Sequence, residues 1–256
     1  VKVLYFIQNH LFSGEGKDFT YTIFMFYNVI TIDGPVGVGK SAVAGNLAKR
    51  LGWRHIDTGA MYRAVTLAAM RRNIDLNDAE ALTAIARTCN INLVYNCNNR
   101  IVYLDGEDVT EAIRDPEVSR NTSPVSETAG VREEMVALQR QLGMQGLSIM
   151  EGRDIGTVVF PDAFWKFYLD ASLDERTHRR VLQLKSTGKF ADFNETGEAI
   201  RQRDERDRSR SYGPLRVAPD AIIIDTTCLT EEEVIRLLLT FVRTGINEES
   251  TIRDFR

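Results

Sequence analysis

Gly34-Pro35-Val36-Gly37-Val38-Gly39-Lys40-Ser41 is the stretch that decides the fold. It follows an apolar run, Val29-Ile30-Thr31-Ile32-Asp33, and leads into Ala42–Leu51, where apolar residues recur at helical spacing. Strand, glycine-rich turn and helix in that order are the context of a P-loop, and Gly34, Gly39, Lys40 and Ser41 fill its fixed positions. Glycines let the backbone curl until successive N–H groups point at phosphate oxygens. Lys40 brings a positive charge to the β- and γ-phosphates, and the Ser41 hydroxyl is placed for Mg²⁺. The following helix would set the phosphates on its N-terminus. Gly34 through Ala42, including Pro35, Val36, Gly37 and Val38, is therefore the expected triphosphate-binding segment.

The chain has 256 residues, 43% of them hydrophobic and 27% charged, with a net charge of −4. That is the profile of an ordinary soluble protein, and the charge argues weakly against a surface that wraps nucleic acid. Three cysteines, Cys89, Cys97 and Cys228, are too few and scattered for a disulfide framework or a zinc site, so a reducing compartment is expected. Residues 1–27 differ from the rest, with the aromatic-rich Tyr21-Thr22-Ile23-Phe24-Met25-Phe26-Tyr27 at their end. Their apolar stretches are short and interrupted, well below the roughly 20 residues of a membrane span, and no secretory signal is recognisable. Met25 is the expected biological start, with 1–27 outside the fold, and the polar stretch 245–256 is read as a fraying tail.

Four β-rich runs, Val29–Ile32, Leu147–Met150, Phe164–Leu169 and Ala221–Ile224, alternate with helical patterns, which predicts a three-layer α/β core with a parallel sheet. Ligands in such folds gather at the carboxyl ends of the strands. Thr230 and Glu233 form a capping box opening a last helix with Val234, Leu237, Leu238 and Phe241 on one face. Between the P-loop unit and the second run, a helix over Asp78–Arg87 precedes two strands, Ile91–Tyr95 and Arg100–Leu104, joined by a turn at Asn96–Asn99. A further turn is expected over Asp105–Asp108. A small antiparallel sheet within an α/β chain predicts a separate lobe, residues 60–146, able to move against a core of 28–59 and 147–244.

Three further clusters carry chemistry. Glu151-Gly152-Arg153-Asp154-Ile155-Gly156-Thr157 ends a predicted strand; its Arg and Asp suit phosphate binding and a ligand hydrogen bond, or an ion pair of structural use. Asp57-Thr58-Gly59-Ala60-Met61-Tyr62-Arg63 brings a carboxylate, a hydroxyl and a guanidinium fork close together. Asp57 fits metal ligation through water or helix capping. Arg201–Arg210 holds five arginines among three acids, and Arg203, Asp207 and Arg210 share one helical face. The basic helix around His178–Phe190 breaks at Gly188 and suits a short lid, about 185–195, that keeps water from the reaction. His10, His55 and His178 show no metal or catalytic spacing and are read as incidental.

Taken together, these residues resemble the bacterial-type cytidylate kinases of the nucleoside monophosphate kinase group. Four motifs in order, from Val29 to Val242, carry the resemblance: Ile32–Ser41, Asp57–Arg63, Gly152–Thr157 with Val158-Val159-Phe160-Pro161-Asp162-Ala163, and Arg203–Arg210. The resemblance implies a P-loop kinase core with a five-stranded parallel sheet, an inserted monophosphate-binding lobe with a small antiparallel sheet, and a short lid. It implies a cytoplasmic enzyme, expected as a monomer, that uses ATP and Mg²⁺ to phosphorylate CMP and dCMP, without nucleic-acid or membrane partners. Lys40, Arg63, Arg153 and Arg210 match the family's catalytic cations. Arg203 and Asp207 match its ribose contacts. Ser123, Arg132 and Asp154 match the residues that read cytosine, with Thr58 and Tyr62 beside them. An Asp can accept from the exocyclic amine that uracil lacks.

Two positions depart from the family. Val36 replaces a small polar residue whose hydroxyl can touch the acceptor phosphate, and Ala42 replaces a Thr after the P-loop Ser. Each missing hydrogen bond is worth about 0.5–1.5 kcal/mol, so altered constants rather than inactivity are expected. A P-loop kinase for another small acceptor and a nucleotide-dependent switch are the competing readings. Guanine-reading switches normally carry Asn-Lys-x-Asp, which the chain lacks.

Overall fold

The computed structural model describes residues 28–95, 100–186, 188 and 190–244. The Met25 start, the 1–27 extension, the Asn96–Asn99 turn and the 245–256 tail lie outside the described residues. The strands are β1 (Val29–Asp33), β2 (Arg54–Asp57), β6 (Ser148–Glu151), β7 (Trp165–Asp170) and β8 (Ile222–Asp225), with three others, β3–β5, in the insert. These five form one sheet in the order β2-β6-β1-β7-β8, every neighbouring pair parallel. β1 is central, with Ile32 opposite Glu151 on one side and Phe167 on the other. The loops after β1 and β6 therefore open at the same edge, where α/β sheets bind ligands.

Four strands lie within one residue of their predicted bounds. β2 was not predicted: Arg-His-Ile-Asp holds one apolar residue in four, too little for a β signal. It pairs at the sheet edge and ends with Asp57 opposite Glu151.

Alternation along β1 divides the core. Ile30 and Ile32 pack with Val43 and Leu47 of helix α1 (Lys40–Leu51), and with Val234 and Leu238 of helix α8 (Glu231–Thr244). Val29 belongs to the other cluster, with Ile56 of β2, Met61 and Val65 of helix α2 (Thr58–Arg71), and Met135 of helix α5 (Ala129–Met144). The predicted capping box forms: the Glu233 carboxylate accepts the Thr230 N–H at 2.8 Å, and the Thr230 hydroxyl accepts the Glu233 N–H at 3.3 Å.

The insert between β2 and β6 holds α2, α3 (Ala79–Thr88), strands β3 (Ile91–Tyr95), β4 (Arg100–Leu104) and β5 (Glu107–Asp108), then α4 (Pro116–Glu127) and α5. β3, β4 and β5 make the small antiparallel sheet. The expected turn at 105–108 is two residues shorter, because Glu107 pairs back onto Leu104. Helices α6 (Leu173–Ser186) and α7 (Phe193–Ser209) flank the predicted lid, of which Thr187 and Lys189 lie outside the described residues. No helix among the described residues is long and apolar enough to cross a membrane.

Candidate active site

The P-loop wraps from β1 onto the N-terminus of α1. Gly34 cannot be replaced by another residue without displacing backbone: a Cβ there would lie 2.1 Å from the Leu169 carbonyl oxygen, at φ +149°. Lys40, the first residue of α1, turns back across the loop and donates to the Pro35 carbonyl at 2.6 Å. Burial, then the neighbouring Arg153 charge, hold its ammonium well below the usual lysine range. A buried cation hydrogen-bonded to a neutral carbonyl is suited to receive an anion. Ser41 donates to Glu151 at 2.7 Å, so the hydroxyl's lone pairs stay available. The Glu151 carbonyl accepts from Thr58 Oγ1 at 2.7 Å, which ties this strand end to α2.

Asp33, at the end of β1, accepts the N–H groups of Ile155 at 2.9 Å and Gly156 at 2.7 Å. Burial outweighs these bonds and pushes its carboxyl up to about 6. The bonds anchor a single π-helical turn, Ile155–Val159, whose start fixes Arg153 and Asp154 beside the P-loop.

Beyond the P-loop lies a set of arginines held by carboxylates. Arg132 of α5 is 1% exposed and ion-paired with the buried Asp154. Its guanidinium lies 5.5 Å from the Tyr62 ring centroid and 5.6 Å from that of Tyr212, a cation between two aromatic faces. Burial pushes the Tyr62 hydroxyl up to about 12, and it approaches Gln139 without reaching hydrogen-bond geometry. Arg210 stands 3.6 Å from Asp154 and 3.7 Å from Asp207. Arg153 donates to Asp207 at 2.8 Å. Burial works against ionisation of Asp207, but Arg153, Arg210 and Arg203 outweigh it and leave the carboxyl below its ordinary range. Arg203 is pushed down to about 10, by burial first and then by Arg153.

Asp57 does two things. It caps α2 by accepting the Ala60 N–H at 3.0 Å, and it pairs with Arg63 at 3.1 Å. Capping, one of the two expectations for Asp57, thus holds. Ser123 lies on α4, half-buried; its carbonyl accepts from Ser126 Oγ at 3.0 Å. Arg132 reaches this helix through the Ser126 carbonyl at 3.2 Å, and no hydrogen bond joins the Ser123 hydroxyl to Arg132 or Asp154 among the described residues. Ala42 is exposed at the mouth of α1, and Val36 is half-buried. Arg201 pairs outward with Glu198 and Glu205, away from the cluster.

Several residues of the site had no sequence signal of their own. Arg176 of α6 and Asp204 of α7 form a buried ion pair that grips Val36 from both sides. Arg176 donates to the Val36 carbonyl at 3.1 Å, and Asp204 accepts the Val36 N–H at 3.3 Å. Val36 thus sits on a backbone clamped to α6 and α7. Tyr212-Gly213 passes over the Arg132–Asp154 pair; a Cβ on Gly213 would meet Asp154 Oδ2 at 2.2 Å, at φ +58°. His55 requires a correction: it is buried on β2 and bonds Glu151 Oε1 at 2.9 Å, so it is not incidental. Its partner is distant in sequence, which spacing rules cannot see.

Comparison with known proteins agrees with these motifs. A family model described as "Cytidylate kinase" matches residues 30–244. The chain is 48% identical to a cytidylate kinase of Caldanaerobacter subterraneus subsp. tengcongensis over 86% of its own length and 96% of that protein. It is 47% identical to one from Caldicellulosiruptor saccharolyticus over 86% and 97%. A solved gluconokinase from Sinorhizobium meliloti 1021 is a distant likeness, 13% identical over 86% of this chain and 94% of its own, with a TM-score of 0.44. The chain belongs to the cytidylate kinase family, and so to the phosphotransferases.

Proposed function

We propose that this protein transfers the γ-phosphoryl group of ATP to CMP and dCMP, forming CDP and dCDP. The observation that carries the reading is the buried Arg132–Asp154 pair just beyond the end of β6, with Arg210 3.6 Å from Asp154. A carboxylate fixed in that position can accept from the cytosine amine, with Thr58, Tyr62 and Ser123 completing the base pocket. Arg203 and Asp207 take the ribose, and Arg63, Arg153 and Arg210 the acceptor phosphate.

The acceptor phosphate is already ionised at neutral pH, so no general base is needed. The task is to bring two anions into line. Lys40 and the arginines neutralise them, and positioning carries the transfer. Gly34, Pro35, Val36, Gly37, Val38, Gly39 and Ala42 place the donor phosphates on the α1 N-terminus. The donor set at Ser41, a hydroxyl oxygen backed by a carboxylate, is the hard-oxygen type that suits Mg²⁺. Ser41 would hold the ion with the phosphates, where it supplies charge neutralisation. The insert, residues 60–146, is the acceptor lobe that closes on the core, residues 28–59 and 147–244. The enzyme works as a cytoplasmic monomer.

The test is ATP-to-ADP turnover with CMP, dCMP, UMP, AMP and shikimate in parallel. Turnover with CMP and dCMP well above the rest is expected. Preference for another acceptor would remove Asp154, Arg132 and Ser123 from their roles. ATP binding without turnover would point to Val36 and Ala42 as the marks of a degenerate kinase.

A further inference from the structure

We infer that His55 is a positioning residue for the metal side of the donor site, acting through Glu151 on Ser41. This rests on the kinase reading above. The three side chains form one chain of contacts across three elements. His55 Nε2 donates to Glu151 Oε1 at 2.9 Å, and Ser41 Oγ donates to the other oxygen, Oε2, at 2.7 Å. Both members of the inner pair are almost dry, at 5% and 4% side-chain exposure. The β2–β6 register, with His55 opposite Ile149 and Asp57 opposite Glu151, brings the imidazole alongside the end of β6.

The arrangement settles the orientation of Glu151. A carboxylate held by Ser41 alone would be free to rotate about its terminal torsion and to swap oxygens. Held at both oxygens, it presents one fixed acceptor, and the Ser41 proton must point inward to it. The lone pairs of Ser41 are then left for another partner, as a bound cation requires. Space for the imidazole comes from α1: a Cβ on Gly45, one turn beyond Ser41, would lie 3.1 Å from His55 Nδ1. The same helix that carries Ser41 thus leaves room for the group that orients it.

The test measures metal binding rather than turnover. Mn²⁺ is titrated by electron paramagnetic resonance into the full chain saturated with a non-hydrolysable ATP analogue, for the parent, His55→Leu and His55→Gln. His55→Leu is expected to weaken Mn²⁺ by about tenfold, the low end of the loss seen when outer-shell partners are removed. His55→Gln, which keeps a donor, is expected to recover most of it, and metal-free affinity for the analogue is expected to stay within about twofold of the parent by the same argument. Unchanged Mn²⁺ affinity in a folded His55→Leu protein would overturn the inference. So would a matching loss of metal-free nucleotide affinity, which would mark His55 as a purely structural residue. If His55→Leu does not fold, Gly45→Ala crowds the imidazole instead; weaker Mn²⁺ binding supports the inference and unchanged binding contradicts it. A parent that phosphorylates no nucleotide would defeat the kinase reading while leaving the Mn²⁺ result to stand by itself.

Discussion

At the proposed donor end of the site the buried cation Lys40 donates to a neutral carbonyl, whereas at the proposed acceptor end Arg63, Arg132, Arg153 and Arg210 each face a carboxylate. The difference follows from how each end is assembled. The P-loop is one contiguous segment whose geometry comes from its own backbone and from the β1–α1 junction. Its cation is positioned covalently, as the first residue of a helix. The acceptor end draws on β2, α2, α5, the turn after β6, and α7, and gathers several like charges in one place. Without Asp57, Asp154 and Asp207 those guanidiniums would repel one another and their neighbours. The carboxylates therefore hold the arginines in position.

Substitutions can break this contrast. The largest effect is expected from Asp154→Ala, which strands Arg132 in the interior. Leaving one member of a buried pair uncompensated costs about 3–5 kcal/mol, to be read from the urea midpoint. Next is Lys40→Met, which fills the same space without the charge. Turnover should fall by about 10²–10³, the usual loss when one preorganised electrostatic donor is removed, with stability held or raised. An Asp154 variant as stable as the parent, or a Lys40 variant with full turnover, would erase the distinction between the two ends.

Asp33 sharpens the comparison through pH. Its carboxyl is raised from 3.8 to about 6 in the folded state. The folded state therefore holds the proton more tightly, and Asp33 contributes stability that is complete below pH 3.8 and lost as pH rises through about 6. Stability measured against pH should thus fall less steeply between those limits in Asp33→Asn than in the parent. The smallest effect is expected at the donor mouth. Ala42→Thr restores a hydroxyl at an exposed position and should lower the KM for ATP by about 2–10-fold, the worth of one hydrogen bond, with the KM for CMP unchanged.

The same contrast governs what could be read from the chain. The donor end was legible because its residues are consecutive and each residue type has a local reason. The acceptor end was legible only as separate motifs with arginines in them. That Arg153 meets Asp207, or that Arg132 meets Asp154, depends on sheet order and helix packing, which no spacing encodes. Their grouping came from resemblance. The residues missed altogether, Arg176, Asp204, Tyr212, Gly213 and His55, act through partners far away in sequence. β2 escaped for a related reason: an edge strand of four residues, two of them charged, is stabilised by pairing with β6 rather than by its own pattern.

The most direct measurement is a competition in which equal concentrations of CMP and UMP share one vessel with limiting ATP and Mg²⁺. The initial ratio of CDP to UDP equals the ratio of the two kcat/KM values. A carboxylate fixed for the cytosine amine predicts CDP in at least about tenfold excess, and a ratio drawn toward one by Asp154→Asn. Equal CDP and UDP from the parent enzyme would contradict the account, because the buried Arg132–Asp154 pair would then hold the fold together without reading the base.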